Sequence, residues 1–392
     1  ATAKQSSRVD ELAYQKGLAH ALSPLFVYYW QTGNYTKGAT ICLEYLDVIE
    51  KLLGRYDETY AEFQAYLGRA YIGMGRYEDA KNTLLSMYDT YQHVTKIEYP
   101  HRYASSLASL GDVFLMFGDY VQAEEAFLHS ISCAEGGLSD LVYDTNYYLA
   151  ATYMKQNKYN EAENLYTAII DLKAKETQAY YLRACSRLKQ GNYEAAVNDF
   201  GKAFALAPND LNLVISAYKE MQAAGYDEEG KTFVRDFMDK KGKSIKDQER
   251  GILYFYLEDY ENARMCLEPF MNGNNAEVSL ILGQTYEKMG DMNYASIVYQ
   301  TYIEQNEPNA EIYNSLGSCL LKQGKYAEAL DVFNKGIELG ESDCYRDLQF
   351  NLIVATEYNG DFGKAKVMME EYMNTYPDDT AAKREYQFLQ TR

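Results

Sequence analysis

The chain has 392 residues, 47% of them hydrophobic and 24% charged, and a formal net charge of −19. The acid excess is even, −9 over residues 1–172 and −10 over residues 173–392, so no basic stripe or arm exists to neutralise phosphates and nucleic acid is excluded as a partner. No run of eighteen apolar residues occurs, so no segment reads as a membrane-spanning helix.

Residues 1–9 form a polar N-terminal segment, and from residue 10 one step repeats along the chain. A turn is followed by an aromatic and then, three residues later, by a small residue. The turns open at Gly33, Gly75, Gly118, Asn157, Gly191, Gly225, Glu258, Gly290, Gly324 and Gly360. The small site holds Gly38, Ala80, Ala123, Ala162, Ala196, Gly230, Ala263, Ala295, Ala329 and Ala365. Four residues further on comes an apolar residue each time: Cys42, Leu84, Phe127, Tyr166, Phe200, Val234, Leu267, Tyr299, Phe333 and Met369. Apolar residues recur at helical spacing on both sides of each turn, as Leu67, Tyr71 and Met74 do before Gly75, and Ala80, Leu84 and Met87 after it. Self-similarity at this period predicts a solenoid of helix–turn–helix units, each burying its inner faces against its neighbours. The small site is where the two helices cross, so Ala329→Leu is expected to overpack.

Successive turns are 42, 43, 39, 34, 34, 33, 32, 34 and 36 residues apart. The spacing predicts a long-period array of about four repeats over 10–172, then a standard-period array of about six over 173–378. Asp171–Lys175 is the expected joint. Two units depart from the pattern within 211–273. Asp227 stands where an aromatic belongs, while Glu258 replaces the turn glycine and Pro269 interrupts a second helix. A soft seam near 225–245 is expected. Residues 379–392 read as an amphipathic capping helix started by Asp379 and Thr380, with Tyr386 and Leu389 on its apolar side.

Chemistry-bearing patterns are sparse. The four histidines are His20, His93, His101 and His129, with no zinc-ligand spacing, and neither a phosphate loop nor a nucleophile elbow is present. The six cysteines form no CxxC pair and read as free buried thiols. Nothing points to a catalytic residue, a metal or a cofactor, and the chain reads as a non-enzyme.

The step resembles the tetratricopeptide repeat (TPR), a helix–turn–helix unit. The likeness is carried by Tyr313, Leu316, Gly317, Gly324, Tyr326, Ala329, Phe333 and Gly336 in one unit, and by Tyr180, Ala184, Gly191, Tyr193, Ala196, Phe200, Ala203 and Pro208 in another. The resemblance covers about residues 10–378. It implies an all-α fold, a right-handed α–α superhelix of about ten repeats plus the capping helix. It also implies a concave groove lined by the first helix of each repeat, where a peptide or protein segment binds. Carried onto this sequence, the strongest groove candidates are Tyr147, Tyr181, Lys219, Gln248, Phe255, Gln284, Asn314 and Phe350. Glu62, Arg69, Asp112, Glu277, Glu311, Asp347 and Glu357 fall at further groove sites. The lysine, asparagine and arginine clamp by which some relatives hold a carboxylate tail has no counterpart over three consecutive units, which favours a neutral or basic ligand.

The expected role is therefore an interaction scaffold; the alternatives are a peptide-sensing regulator, suggested by the long repeats, and an accessory subunit of an enzyme complex. The C-terminal half is similar in texture to repeat-bearing bacterial lipoproteins. With a chain that begins at Ala1 and not at Met, that likeness implies a removed N-terminal segment with a lipid-bearing cysteine, and a place at the bacterial cell surface in preference to the cytoplasm.

Overall fold

The structure is a computed structural model that describes residues 2–94, 96–134, 139–340 and 342–391. Within them the chain is helical throughout and forms ten antiparallel helix pairs and a final single helix. The pairs are α1 (Thr2–Gln31) with α2 (Tyr35–Leu53), α3 (Glu58–Gly73) with α4 (Tyr77–His93), and α5 (Pro100–Met116) with α6 (Tyr120–Ala134). Next come α7 (Ser139–Lys155) with α8 (Tyr159–Leu172), α9 (Thr177–Lys189) with α10 (Tyr193–Leu206), and α11 (Leu211–Ala223) with α12 (Asp227–Lys241). Then follow α13 (Asp247–Tyr256) with α14 (Tyr260–Leu267), α15 (Ala276–Lys288) with α16 (Met292–Gln305), α17 (Ala310–Lys322) with α18 (Tyr326–Glu338), and α19 (Tyr345–Tyr358) with α20 (Phe362–Thr375). The single helix is α21 (Thr380–Leu389).

All ten turns share one backbone geometry. The first turn residue is left-handed in every case: eight glycines, Asn157 and Glu258, the last two both at φ 61°. At Gly75 the turn's own N–H donates to Ile72 O at 2.9 Å, and the next N–H, of Arg76, donates to Tyr71 O at 2.9 Å. The same pair of bonds satisfies the orphan carbonyls at Asn157 and Glu258. A left-handed glutamate costs about 1–2 kcal/mol relative to glycine, so Glu258 is a strained site.

The cores of the pairs are built from size complementarity. All ten small residues are buried, and the ten apolar residues that follow them are 2% exposed or less. Five of those side chains lie over a glycine of the partner helix. A β-carbon on Gly68 would come within 2.6 Å of Leu84 Cγ, and one on Gly111 within 2.6 Å of Phe127 Cε1. Gly251 faces Leu267, Gly283 faces Tyr299 and Gly317 faces Phe333 in the same way. Two pairs reverse the sizes in the same register, with Tyr218 sixteen residues before Val234 and Phe26 sixteen before Cys42, all four buried. The Tyr218 ring lies over Gly230 of α12, where a β-carbon would come within 2.9 Å.

The chain divides into two compact units, residues 1–209 and 210–392. In the first, α2 to α7 run 15–19 residues, against 13 and 14 for α9 and α10, so the long early spacing is taken up by added helical turns. In the second, α14 is only eight residues long because Pro269 opens a short 3-10 turn over Glu268–Phe270. α21 begins at Asp379, whose carboxylate accepts from Ala381 N–H at 2.9 Å and Ala382 N–H at 3.1 Å. Leu389 is buried and Tyr386 donates to Glu370 at 2.7 Å, which closes the end of the second unit.

Candidate functional site

Within each unit the odd-numbered helices pack on one another in series, α3 on α5 and α5 on α7 in the first, and α11 through α19 in the second. This layer carries seven of the eight candidate residues, Tyr147 in the first unit and six in the second, while Tyr181 lies on α9 of the first unit.

On the first unit's layer the principal polar group is Arg69. Its Nε donates to Ser109 Oγ and one terminal nitrogen to Ser105 Oγ, both at 2.8 Å, so α5 supplies hydroxyls and no counter-ion. Burial lowers its pKa below the ordinary arginine range. One turn beyond Ser109 lies Asp112, half-buried, whose carboxyl is pushed up by burial. Glu62 is engaged by Arg102 and by the Tyr66 hydroxyl. Tyr147 is held between rings, 5.4 Å from Tyr143 and 6.3 Å from Tyr166, and burial pushes its hydroxyl above the usual range. It is thus as much a packing residue as a surface one. Tyr181 lies half-buried with its ring 5.6 Å from Phe200.

On the second unit's layer Asn314 accepts from Asn351 Nδ2 at 2.9 Å, so α17 and α19 are joined by an amide pair. Sequence reasoning named Asn314 and missed Asn351, which sits one residue beyond the Phe350 site. Phe350 is 5.8 Å from Tyr372, and Phe255 is 5.5 Å from Tyr256. Lys219 is exposed, with its ammonium 5.3 Å from the Tyr256 ring. Gln248 and Gln284 are half-buried. Three carboxylates occupy one register on successive helices: Glu277 on α15, Glu311 on α17 and Asp347 on α19. All three are exposed, and none has an ion-pair partner among the described residues.

Two charge networks lie outside these faces and hold helices together. Asp199 is buried and accepts from Arg183 at 2.7 and 2.9 Å and from Arg187 at 2.7 Å, while Arg187 also reaches Glu163 at 2.8 Å, tying α8, α9 and α10. In the second unit Lys231 is buried, with Asp227 at 2.8 Å, Glu258 at 3.1 Å and Glu228 at 3.3 Å from its ammonium. The hydrogen bond it donates to Asp227, then those it donates to Glu258 and Glu228, hold its pKa above the lysine range. The two departures from the repeat pattern, Asp227 and Glu258, are therefore partners of one cation. No sequence signal joins them, because the link runs through Lys231 on α12.

Among the described residues no group of three or more His, Cys, Asp or Glu side chains is placed to hold a metal ion, and no helix is long and apolar enough to cross a membrane. All six cysteines are free, and Cys42 donates to Phe63 O at 3.1 Å from a fully buried position.

Comparison with known proteins follows the same units. The tetratricopeptide repeat family matches residues 177–210 and 310–343, the α9–α10 and α17–α18 pairs. The chain carries tetratricopeptide repeats over those two segments, and its described residues form an all-α helical-repeat fold. Among curated proteins it is 28% identical over 100 residues to the anaphase-promoting complex subunit CDC16 of Saccharomyces cerevisiae, 23% of this chain and 12% of that one. It is 23% identical over 196 residues to the BBSome complex member BBS4 of Bos taurus, 48% of this chain and 36% of that one. The chain thus spans well under half the length of either relative. Among solved structures, a tetratricopeptide repeat protein from Parabacteroides merdae aligns at TM-score 0.44 and 15% identity, over 76% of this chain and 98% of that one.

Proposed function

We propose that this protein is a non-enzymatic interaction scaffold whose odd-helix layer in the second unit holds an extended, neutral or basic peptide segment. The observation that carries this reading is the register of Glu277, Glu311 and Asp347 on three successive helices, exposed and without cationic partners. Beside them Gln248, Gln284 and the Asn314–Asn351 pair offer donors and acceptors suited to a peptide backbone, and Phe255 and Phe350 offer rings for side chains. A row of carboxylates that meets no lysine or arginine of its own chain favours one brought by a partner. Lys219, at the α11 end, marks where the acidic row stops.

Isothermal titration of the full chain with extended twelve-residue peptides of basic, neutral and acidic composition tests this. The basic peptide should bind tightest, and the triple variant E277Q/E311Q/D347N should weaken it by roughly tenfold at low salt, less at high salt. Unchanged affinity in that variant would refute the assignment.

Two relatives, a subunit of the anaphase-promoting complex and a member of the BBSome, support a second reading, in which this chain is one subunit of a larger assembly. Crosslinking with mass spectrometry in the native source separates the two: stoichiometric protein neighbours for a subunit, short segments for a peptide binder. The period change at Asp171–Lys175 we take as a change in solenoid curvature, testable by small-angle scattering.

A further inference from the structure

We infer that the first unit carries a second, independent docking surface on its even-numbered helices, and that its partner is an amphipathic helix of another protein with a basic rim. The residue directly after the buried apolar site is leucine in the first three pairs. Leu43 on α2, Leu85 on α4 and Leu128 on α6 are 50%, 40% and 46% exposed. At the equivalent place the seven later pairs carry Thr167, Gly201, Arg235, Glu268, Gln300, Asn334 and Glu370. Three exposed leucines in one register, confined to consecutive helices, are not scattered surface residues.

The middle leucine opens onto a cavity of about 310 Å³ between α4 and α6, floored by Leu107, Leu110 and Phe114 of α5 and walled by Leu85, Tyr88 and His129. The His129 ring stands edge-on to Tyr103 and Tyr88, at 5.4 and 6.4 Å. This volume takes one large apolar side chain and leaves the rest of a ligand outside. The geometry favours a helix laid across the stack. A helix presents apolar side chains every three or four residues along one face, so one helix can meet leucines on successive even-numbered helices.

The frame decides the rim. α2, α4 and α6 carry eight Asp and Glu against three Lys. Two of those lysines are occupied, Lys51 by Asp47 and Lys81 by Asp119, while Glu44, Asp89 and Glu125 are exposed around the leucines. A second copy of this chain, at −19, would bring like charge to that frame. A lysine- or arginine-flanked helix brings the opposite charge.

The test uses the full chain and an 18-residue leucine–lysine peptide patterned as an amphipathic helix, against a scrambled peptide of identical composition. Fluorescence anisotropy should show the patterned peptide binding at least ~10-fold tighter than the scramble, since charge is equal and only the apolar edge differs. The variant L43S/L85S/L128S, which keeps every charge, should lose that preference while its thermal melt stays within a few degrees of the parent. Hydrogen exchange should show protection on α4 and α6 with peptide bound. Equal binding of the two peptides, or a preference that survives the triple variant, would overturn the inference. So would sedimentation showing a dimer of the parent chain that the triple variant abolishes, since the occupant would then be a second copy.

Discussion

Gly283 and Gly201 are both glycines inside helices, and the fold treats them oppositely. A β-carbon at Gly283 would overlap the Tyr299 ring, while one at Gly201 meets nothing within 4 Å. Gly283→Ala is therefore expected to destabilise by about 1–3 kcal/mol through overpacking. Gly201→Ala should stabilise by about 0.5–1 kcal/mol through helix propensity. Thermal melts of the two variants read both signs at once. Glu258→Gly relieves a left-handed glutamate worth about 1–2 kcal/mol and removes one exposed carboxylate from Lys231 worth under about 1 kcal/mol. A modest rise in Tm is expected, and a fall would mean that the Lys231 bridge outweighs the strain. The small and apolar sites were legible in sequence because they recur. Arg183–Asp199 and Lys231 were not, because a single buried ion pair leaves no period to detect.

At the scale of the element, α21 depends on Asp379. Its carboxylate caps the helix and accepts from Arg346 at 2.6 Å and the Tyr372 hydroxyl at 2.8 Å. The backbone bonds at Ala382, then the Arg346 bond, lower its pKa to about 2. A depressed carboxyl stabilises the fold fully above its ordinary value of 3.8, and that contribution is lost as pH falls through 3.8 towards 2. Tryptic cleavage at the exposed Lys383 and Arg384 reports fraying of α21. We expect Asp379→Ala to accelerate it at neutral pH, and Asp379→Asn, which keeps a capping oxygen, to do so less. Equal rates for the two variants would place the effect in the Arg346 pair and not in the cap. The helix Thr380–Leu389 was readable because Asp379 and Leu389 follow local rules. The shortness of α14 was readable from Pro269. The pairing of Asn314 with Asn351 was not, since it depends on how two helices of different pairs align.

The molecule has one tryptophan, Trp30, packed against Phe26, Tyr35 and Tyr66 in the first unit. Its fluorescence therefore reports that unit alone, while far-UV circular dichroism reports both. Repeat arrays lose all-or-none cooperativity where a boundary interrupts nearest-neighbour packing. Guanidinium titration is expected to give two unmatched midpoints by the two probes; coincidence would show that residues 1–209 and 210–392 unfold together. Of the candidate sites, the sequence showed which helix face to inspect, because register alone assigns it. That Tyr147 is largely packed and Asn314 is paired depended on Tyr166 and Asn351, 19 and 37 residues away, where no local pattern reaches.

The reversed size pairs bear on how such a chain can change. In most pairs a glycine or alanine admits a bulky side chain sixteen residues later, but Tyr218 with Val234 and Phe26 with Cys42 run the other way. Grafting α11 onto α16 would drive the Tyr218 ring into that of Tyr299, whereas moving α11 together with α12 carries its own complement. Crossovers between whole pairs thus preserve the inner size match, and crossovers inside a pair break it. The heritable module is the hairpin, and its inner seam is the place where shuffling fails.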